Sequence, residues 1–181
     1  VDGDILGDVY QNHIPKEVRK ALGQFYTNPN IIRYMIDRVD SNITPTSKII
    51  DPACGSGSFL IEAYSHLKDK MLDDDWSESA THEHILSDVL YGVDIDEFAT
   101  QLTTMNLLIR NLDNSETVDN IVTGNSVTPL GSNLGALKTT ESPAEKVTKS
   151  GDVDNQQSMF SLLTDAVSQN GNDGFNIVIG N

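Results

Sequence analysis

A chain of 181 residues, 38% hydrophobic and 22% charged, has the make-up of one α/β domain, alone or with a small helical annex. Its 27 acidic residues outweigh 12 basic ones for a net charge of −15, which argues against this segment gripping a nucleic-acid backbone by itself, since neutralising phosphates takes a basic face. The single cysteine, Cys54, leaves no internal disulfide and points to a reducing cytoplasm; the acidic N-terminus lacks a secretory apolar core, and no apolar run approaches the ~20 residues of a membrane helix.

Residues 8–22 carry apolar positions at irregular helical spacing, broken by Pro15, and read as one or two short helices. A loop from Gly23 then runs into a strong helix start, with Asn28 as N-cap and Pro29 at the first helical position. Ile31, Ile32, Met35, Ile36 and Val39 supply an apolar stripe to about Asp40, and residues 41–47 form a polar turn. Residues 48–51 make a short strand that enters a glycine loop at 52–57, and a helix follows over 58–71. The acidic stretch 72–79, with Asp73, Asp74 and Asp75, reads as a solvated loop, and 79–86 as a further helix. Residues 90–94 form a second strand, followed by a helix over 97–111 with Leu102, Met105, Leu108 and Ile109 on one face. Residues 120–123 are a third strand. Residues 131–157, almost without apolar content, are expected to be a mobile insertion; 159–167 a short amphipathic helix; and 175–179 a fourth strand. The expected division is a helical annex over 1–40 and a partial cofactor domain over 41–181.

Strands alternating with helices predict an α/β fold: a mostly parallel sheet with right-handed crossovers and helices on both faces. In such sheets ligands bind beyond the carboxyl ends of the strands, and the chemistry-bearing residues fall at those ends. In Asp51-Pro52-Ala53-Cys54-Gly55-Ser56-Gly57, two glycines let the backbone turn tightly and approach a ligand. Asp51 can hold an ammonium group, and the helix N-terminus beyond Gly57 can receive a carboxylate, so a zwitterionic amino-acid moiety fits better than a pyrophosphate. The dinucleotide fingerprint is not met, because Leu60 stands at its third glycine and the acids at the right distance follow a helix; a P-loop is excluded because no Gly-Lys-Ser/Thr follows. At the second strand end, Asp94 can accept both hydroxyls of a ribose and Ile95 offers an apolar surface to an adenine, with Asp96 as the better helix N-cap, leaving Asp94 free. At the third, Gly124-Asn125-Ser126 sets a polar side chain where an adenine edge would lie. Amino acid, ribose and base together match S-adenosylmethionine.

Four motifs in order carry a resemblance to a known family. Gly23-Gln24-Phe25-Tyr26-Thr27-Asn28-Pro29, the loop from Asp51 to Gly57, Gly92-Val93-Asp94-Ile95-Asp96, and Phe175-Asn176-Ile177-Val178-Ile179-Gly180-Asn181 resemble the N6-adenine DNA methyltransferases, in the order used by type I modification subunits and fused restriction–modification enzymes. The resemblance implies a Rossmann-like S-adenosylmethionine-dependent methyltransferase fold, with the chain ending on the asparagine of an Asn-Pro-Pro-Tyr motif. It implies that Tyr26, Thr27, Asp51, Ala53, Gly55, Gly57, Asp94, Ile95 and Asn125 serve the cofactor and that Asn181 is catalytic. It also implies double-stranded DNA as a partner, gripped by regions outside this chain, with specificity and restriction subunits or domains alongside. Two departures stand out: Asn28 separates Thr27 from Pro29, and Asn125 replaces the usual aspartate, which predicts weaker adenine selectivity. Since only Asn181 of the catalytic apparatus is present, the chain by itself is expected not to transfer methyl groups. An RNA or protein-glutamine methyltransferase and a non-catalytic docking module are the competing readings. Cys54 has no base partner in sequence and reads as a small buried residue, and His82 and His84, pointing apart on a helix, do not read as metal ligands.

Overall fold

A computed structural model describes Asp4, Leu6, Gly7 and residues 26–112, 118–126 and 175–181. The helices expected within 8–22 and over 159–167, the insertion at 131–157, and Gly23 to Phe25 lie outside the described residues. The first element described in full is α1 (Pro29–Val39), which starts as the sequence dictates: Asn28 accepts the Asn30 N–H at 2.9 Å and Pro29 opens the helix. Its buried stripe is narrower than expected. Ile32 and Ile36 are buried and Val39 packs partly against the core, whereas Ile31 and Met35 face outward.

After a 3₁₀ turn (Asp40–Asn42), β1 (Ile49–Asp51) leads into α2 (Ser58–Asp73), then α3 (Glu78–His84), β2 (Leu90–Asp94), α4 (Glu97–Leu108), β3 (Ile121–Thr123) and β4 (Ile177–Val178). The four strands form one parallel sheet in the order β3-β2-β1-β4. Register pairs Asp51 with Gly92 and Asp94 with Thr123, so the carboxyl ends of the first three strands lie along one edge. The main core is built by Leu60, Ala63, Leu67 and Met71 of α2 packed against Ile36, Ile49, Leu86 and Leu90, with Leu107 of α4 in the same cluster. On the other face Ile50, Tyr91 and Val93 pack with Val122 and Phe175, whose ring meets Tyr91 edge-on at 5.2 Å.

Two elements depart from expectation. α3 starts at Glu78, because Ser77 accepts the Ala80 N–H at 3.2 Å, and it ends in a π turn over Ile85–Val89. Asn120 donates to the Leu86 and Ser87 carbonyls at 3.0 and 2.8 Å, satisfying acceptors that the widened turn leaves over. In α4 the inward face is Ala99, Thr100, Leu102, Thr103, Asn106 and Leu107, while Met105 is 53% exposed. The helix is rotated from its most apolar stripe because Thr103 and Asn106 bond the glycine loop, and buried polar groups must find partners. No helix among the described residues is long and apolar enough to cross a membrane.

Candidate cofactor site at the strand ends

The glycine loop is fastened from several sides. The Cys54 N–H donates to the Val93 carbonyl at 2.9 Å and the Gly57 N–H to the Cys54 carbonyl at 2.8 Å, closing the turn. From α4, Thr103 Oγ1 donates to the Gly55 carbonyl at 2.8 Å and Asn106 Nδ2 to the Ser56 carbonyl at 3.0 Å. Gly57 has φ +90°, and a Cβ there would fall 2.9 Å from Thr103 Cγ2, so both backbone and space require glycine. Its role is the turn and not the wall, since Gly57 does not line the cavity described below. Cys54 is buried in this loop and its thiol is pushed up, first by burial and then by the charge of Asp51. A thiol so held stays protonated and is no nucleophile.

Two carboxylates frame the loop. Asp51, at the end of β1, is 1% exposed and accepts the Ala53 N–H at 3.0 Å. Burial pushes its carboxyl up to about 6, and the neighbouring Asp94 charge adds to the effect against the lowering by the Ala53 bond. Asp94, at the end of β2, is not left free as the sequence suggested. Its Oδ2 accepts the Gly55 N–H at 2.8 Å and its Oδ1 the Asp96 N–H at 2.9 Å, tying the loop after β1 to the loop after β2. Each carboxylate oxygen takes more than one donor, so capacity for two hydroxyls remains. Asp96 is the helix cap expected of it, accepting the Phe98 N–H at 3.0 Å. Ile95 beside it is 76% exposed, an apolar side chain held out at the rim.

The end of β4 completes the enclosure. Ile179 N–H donates to the Ile50 carbonyl at 2.9 Å, which carries the chain past β1 to Gly180 and Asn181. Gly180 has φ +144°, and a Cβ there would lie 2.7 Å from Asp51 Oδ1. Asn181 Nδ2 donates to Thr27 Oγ1 at 3.1 Å, bringing residues 154 positions apart into contact. Between these parts lies a cavity of about 600 Å³, within the range of small-molecule sites. Its lining includes Tyr26, Thr27 and Asn181, the loop residues Asp51, Ala53 and Gly55, and Asp94, Ile95 and Asn125. The structure thus gathers nine of the ten residues singled out in the sequence around one space and sets Gly57 behind it.

The helix N-terminus also differs from expectation. The carboxylate that meets it is the chain's own: Asp4 accepts the hydroxyls of Ser56 and Ser58, the latter at 2.7 Å. Asp4, Thr103, Asn106 and Gly180 were not singled out in sequence. The two residues of α4 stand three apart on one helix face, but the helix also carries Thr100, Gln101 and Thr104, so spacing did not single them out; Asp4 and Gly180 had no signal either. His82 and His84 have separate partners, Tyr64 Oη at 2.8 Å for His82 Nδ1, and the Pro45 carbonyl and Asp88 at 2.7 and 3.1 Å for His84.

An open parallel sheet whose strand ends bear a glycine loop, two acids and a half-open cavity defines an α/β domain with a small-molecule site where such sheets carry one. The family profile described as N-6 DNA Methylase matches residues 1–146, and the chain belongs to that family. The methylase subunit of the type I restriction enzyme EcoEI from Escherichia coli is 32% identical over 112 residues, covering 60% of this chain and 21% of that protein. The type II restriction enzyme and methyltransferase RM.Eco57I of Escherichia coli is 28% identical over 218 residues, covering 98% of this chain and 21% of that protein. A crystal structure of the type I restriction enzyme EcoKI M protein aligns over 51% of this chain and 20% of its own with 26% identity and a TM-score of 0.41. The chain spans about a fifth of the length of the curated relatives it matches. The family makes S-adenosylmethionine the expected cofactor.

Proposed function

We propose that this chain forms the cofactor-binding part of a DNA adenine N6-methyltransferase of a restriction–modification system, using S-adenosylmethionine and acting on an adenine turned out of duplex DNA. The observation that carries the reading is the single cavity into which Asp51, Asp94 and Asn181 are brought from three different strand ends. The donor chemistry fits the cofactor. Asp51 is a carboxylate that burial holds at about 6, and an ammonium group beside it would favour its ionised form. Asp94 retains acceptor capacity for ribose hydroxyls, and Ile95 offers an apolar face to the adenine ring. Asn125, which lines the cavity beyond the third strand, would meet that ring's edge.

When bound, S-adenosylmethionine supplies an electrophilic methyl group on a sulfonium. The chain's own work is to hold and align. The amine of adenine is a poor nucleophile, because its lone pair is delocalised into the ring, and a flipped base presents that amine to side-chain acceptors. Asn181 commits its NH₂ to Thr27 and so offers its carbonyl oxygen as an acceptor for an amine hydrogen. The Thr27 contact holds that amide against the same wall that Tyr26 and Thr27 give the cofactor, where alignment supplies much of the acceleration. DNA is gripped by sequence outside this acidic segment, together with specificity or restriction components. Isothermal titration of S-adenosylmethionine into the chain tests the reading: micromolar binding that Asp94→Ala abolishes is expected, and no binding by the wild type refutes it.

A further inference from the structure

α2 is a sixteen-residue helix that lacks its own N-terminal anion. Its N-cap is Gly57, no side chain caps it, and its first turn holds no acid. A helix start of this kind leaves N–H groups and the positive end of the helix dipole unanswered. An anion reaches this helix start from far away in sequence, through side-chain hydroxyls. The carboxylate of Asp4 accepts from Ser56 Oγ in the glycine loop, from Ser58 Oγ at 2.7 Å at the first residue of α2, and from Asn106 Nδ2 at 2.7 Å on α4. Its own backbone joins in, with the Gly7 N–H donating to Asp4 Oδ1 at 2.7 Å. Ser56 is 2% exposed and Asn106 fully buried, so this is a built-in arrangement and not a surface contact.

Resting on the cofactor reading above, we infer that Asp4 is a positioning residue for cofactor binding, a latch by which the N-terminal segment sets the half of the glycine loop that faces the amino-acid end of the ligand. Asp4 does not line the cavity, whereas Ser56 and Ser58 do. It therefore acts through them. Asn106 is the hub of the latch, since its Nδ2 serves both Asp4 and the Ser56 carbonyl while its Oδ1 is buried with no partner among the described residues. Asp4→Asn turns one carboxylate oxygen into an NH₂ that cannot accept, so donors among Ser56, Ser58, Asn106 and the Gly7 N–H lose a partner, and the segment 56–58 loses part of what fixes it between α2 and α4. The ribose and adenine side, held by Asp94 and Ile95, keeps its bonds to Asp96 and Gly124.

The test compares two ligands on the full chain by isothermal titration: S-adenosylmethionine, and 5′-methylthioadenosine, which lacks the amino-acid moiety. Asp4→Asn is expected to weaken S-adenosylmethionine about tenfold, the scale of one lost charge-assisted hydrogen bond, and to change 5′-methylthioadenosine by less than about twofold. Asp4→Glu, which keeps the charge at the wrong length, is expected to fall between. An unchanged affinity for S-adenosylmethionine, or equal weakening of both ligands, overturns the inference while Asp94→Ala still speaks for the site. Amide hydrogen exchange without ligand is the independent arm. Faster exchange over 54–58 in Asp4→Asn is expected, and unchanged exchange there overturns the latch whatever the wild type binds.

Discussion

Replacing Asp51 with asparagine is expected to make the ligand-free protein more stable, and the size of the gain follows from the burial of one carboxyl. An exposed aspartate ionises near 3.8, while in the folded chain Asp51 is held at about 6, chiefly by burial and then by the Asp94 charge. At about 1.4 kcal/mol per tenfold change in acidity, holding Asp51 ionised costs the fold about 3 kcal/mol at neutral pH. The sign is that of a raised carboxyl: the stability associated with its protonated form is fully present below 3.8 and is lost as pH rises through about 6. Asp51→Asn keeps an oxygen to accept the Ala53 N–H and removes the ionisation. Urea unfolding followed by the fluorescence of Trp76, the one tryptophan, reads the difference between the two proteins. The asparagine variant should be the more stable by about 3 kcal/mol near about pH 7.5, shrinking to roughly half that near about pH 5. A gap of the same size at both pH values, or a variant less stable at both, refutes the assignment of an uncompensated buried charge. The same substitution should abolish binding of S-adenosylmethionine, so that stability and affinity move in opposite directions.

Three further outcomes follow from the same geometry. Affinity for S-adenosylmethionine in the wild type should rise with pH through about 6 and then level off, because an ammonium group binds the ionised form of Asp51; titrations across that range that show a flat profile contradict the pairing. Gly180→Ala should cost about 2 kcal/mol, from strain at φ +144° and a Cβ driven against Asp51 Oδ1, and should also weaken the cofactor; thermal melting and titration check it, and an alanine variant that behaves as wild type shows that β4 does not press on Asp51. Thr103→Val keeps the shape of the side chain and removes the bond to the Gly55 carbonyl, so a loss of about 1 kcal/mol in urea with weaker binding is expected, against no change if α4 merely covers the loop.

What could be read from the chain beforehand was set by short-range rules. The start of α1 was legible because a cap and a proline act within three residues, and β2 was legible because its apolar run is bounded by a turn and an acid. The outward turn of Met105 was not, since the orientation of α4 is decided by Thr103 and Asn106 finding acceptors on a loop some fifty residues earlier. The same limit hid Asp4, whose partners lie 52, 54 and 102 positions away. Motif order located the glycine loop and the two acids around the cavity; it gave no hint that Gly180 is needed to make room for Asp51, because that need exists only once β4 lies beside β1.

The three acids around the loop are alike in sequence and unlike in company, and that difference distributes their roles. Asp94 is met by two backbone N–H groups. Asp4 is met by two hydroxyls, an amide and a backbone N–H. Asp51, the most deeply buried of the three, is met by the Ala53 N–H alone among the described residues. In a chain of net charge −15 the surrounding field adds no compensation. A cationic group entering the cavity therefore gains most beside Asp51, where it also relieves the cost of burial, and gains little beside Asp4, whose charge is already spent on the helix end and its serines. That ordering favours the proposed placing of the ammonium at β1 and of the ribose hydroxyls at Asp94. Among the described residues that line the cavity none is basic, which suits the cationic ligand proposed for it.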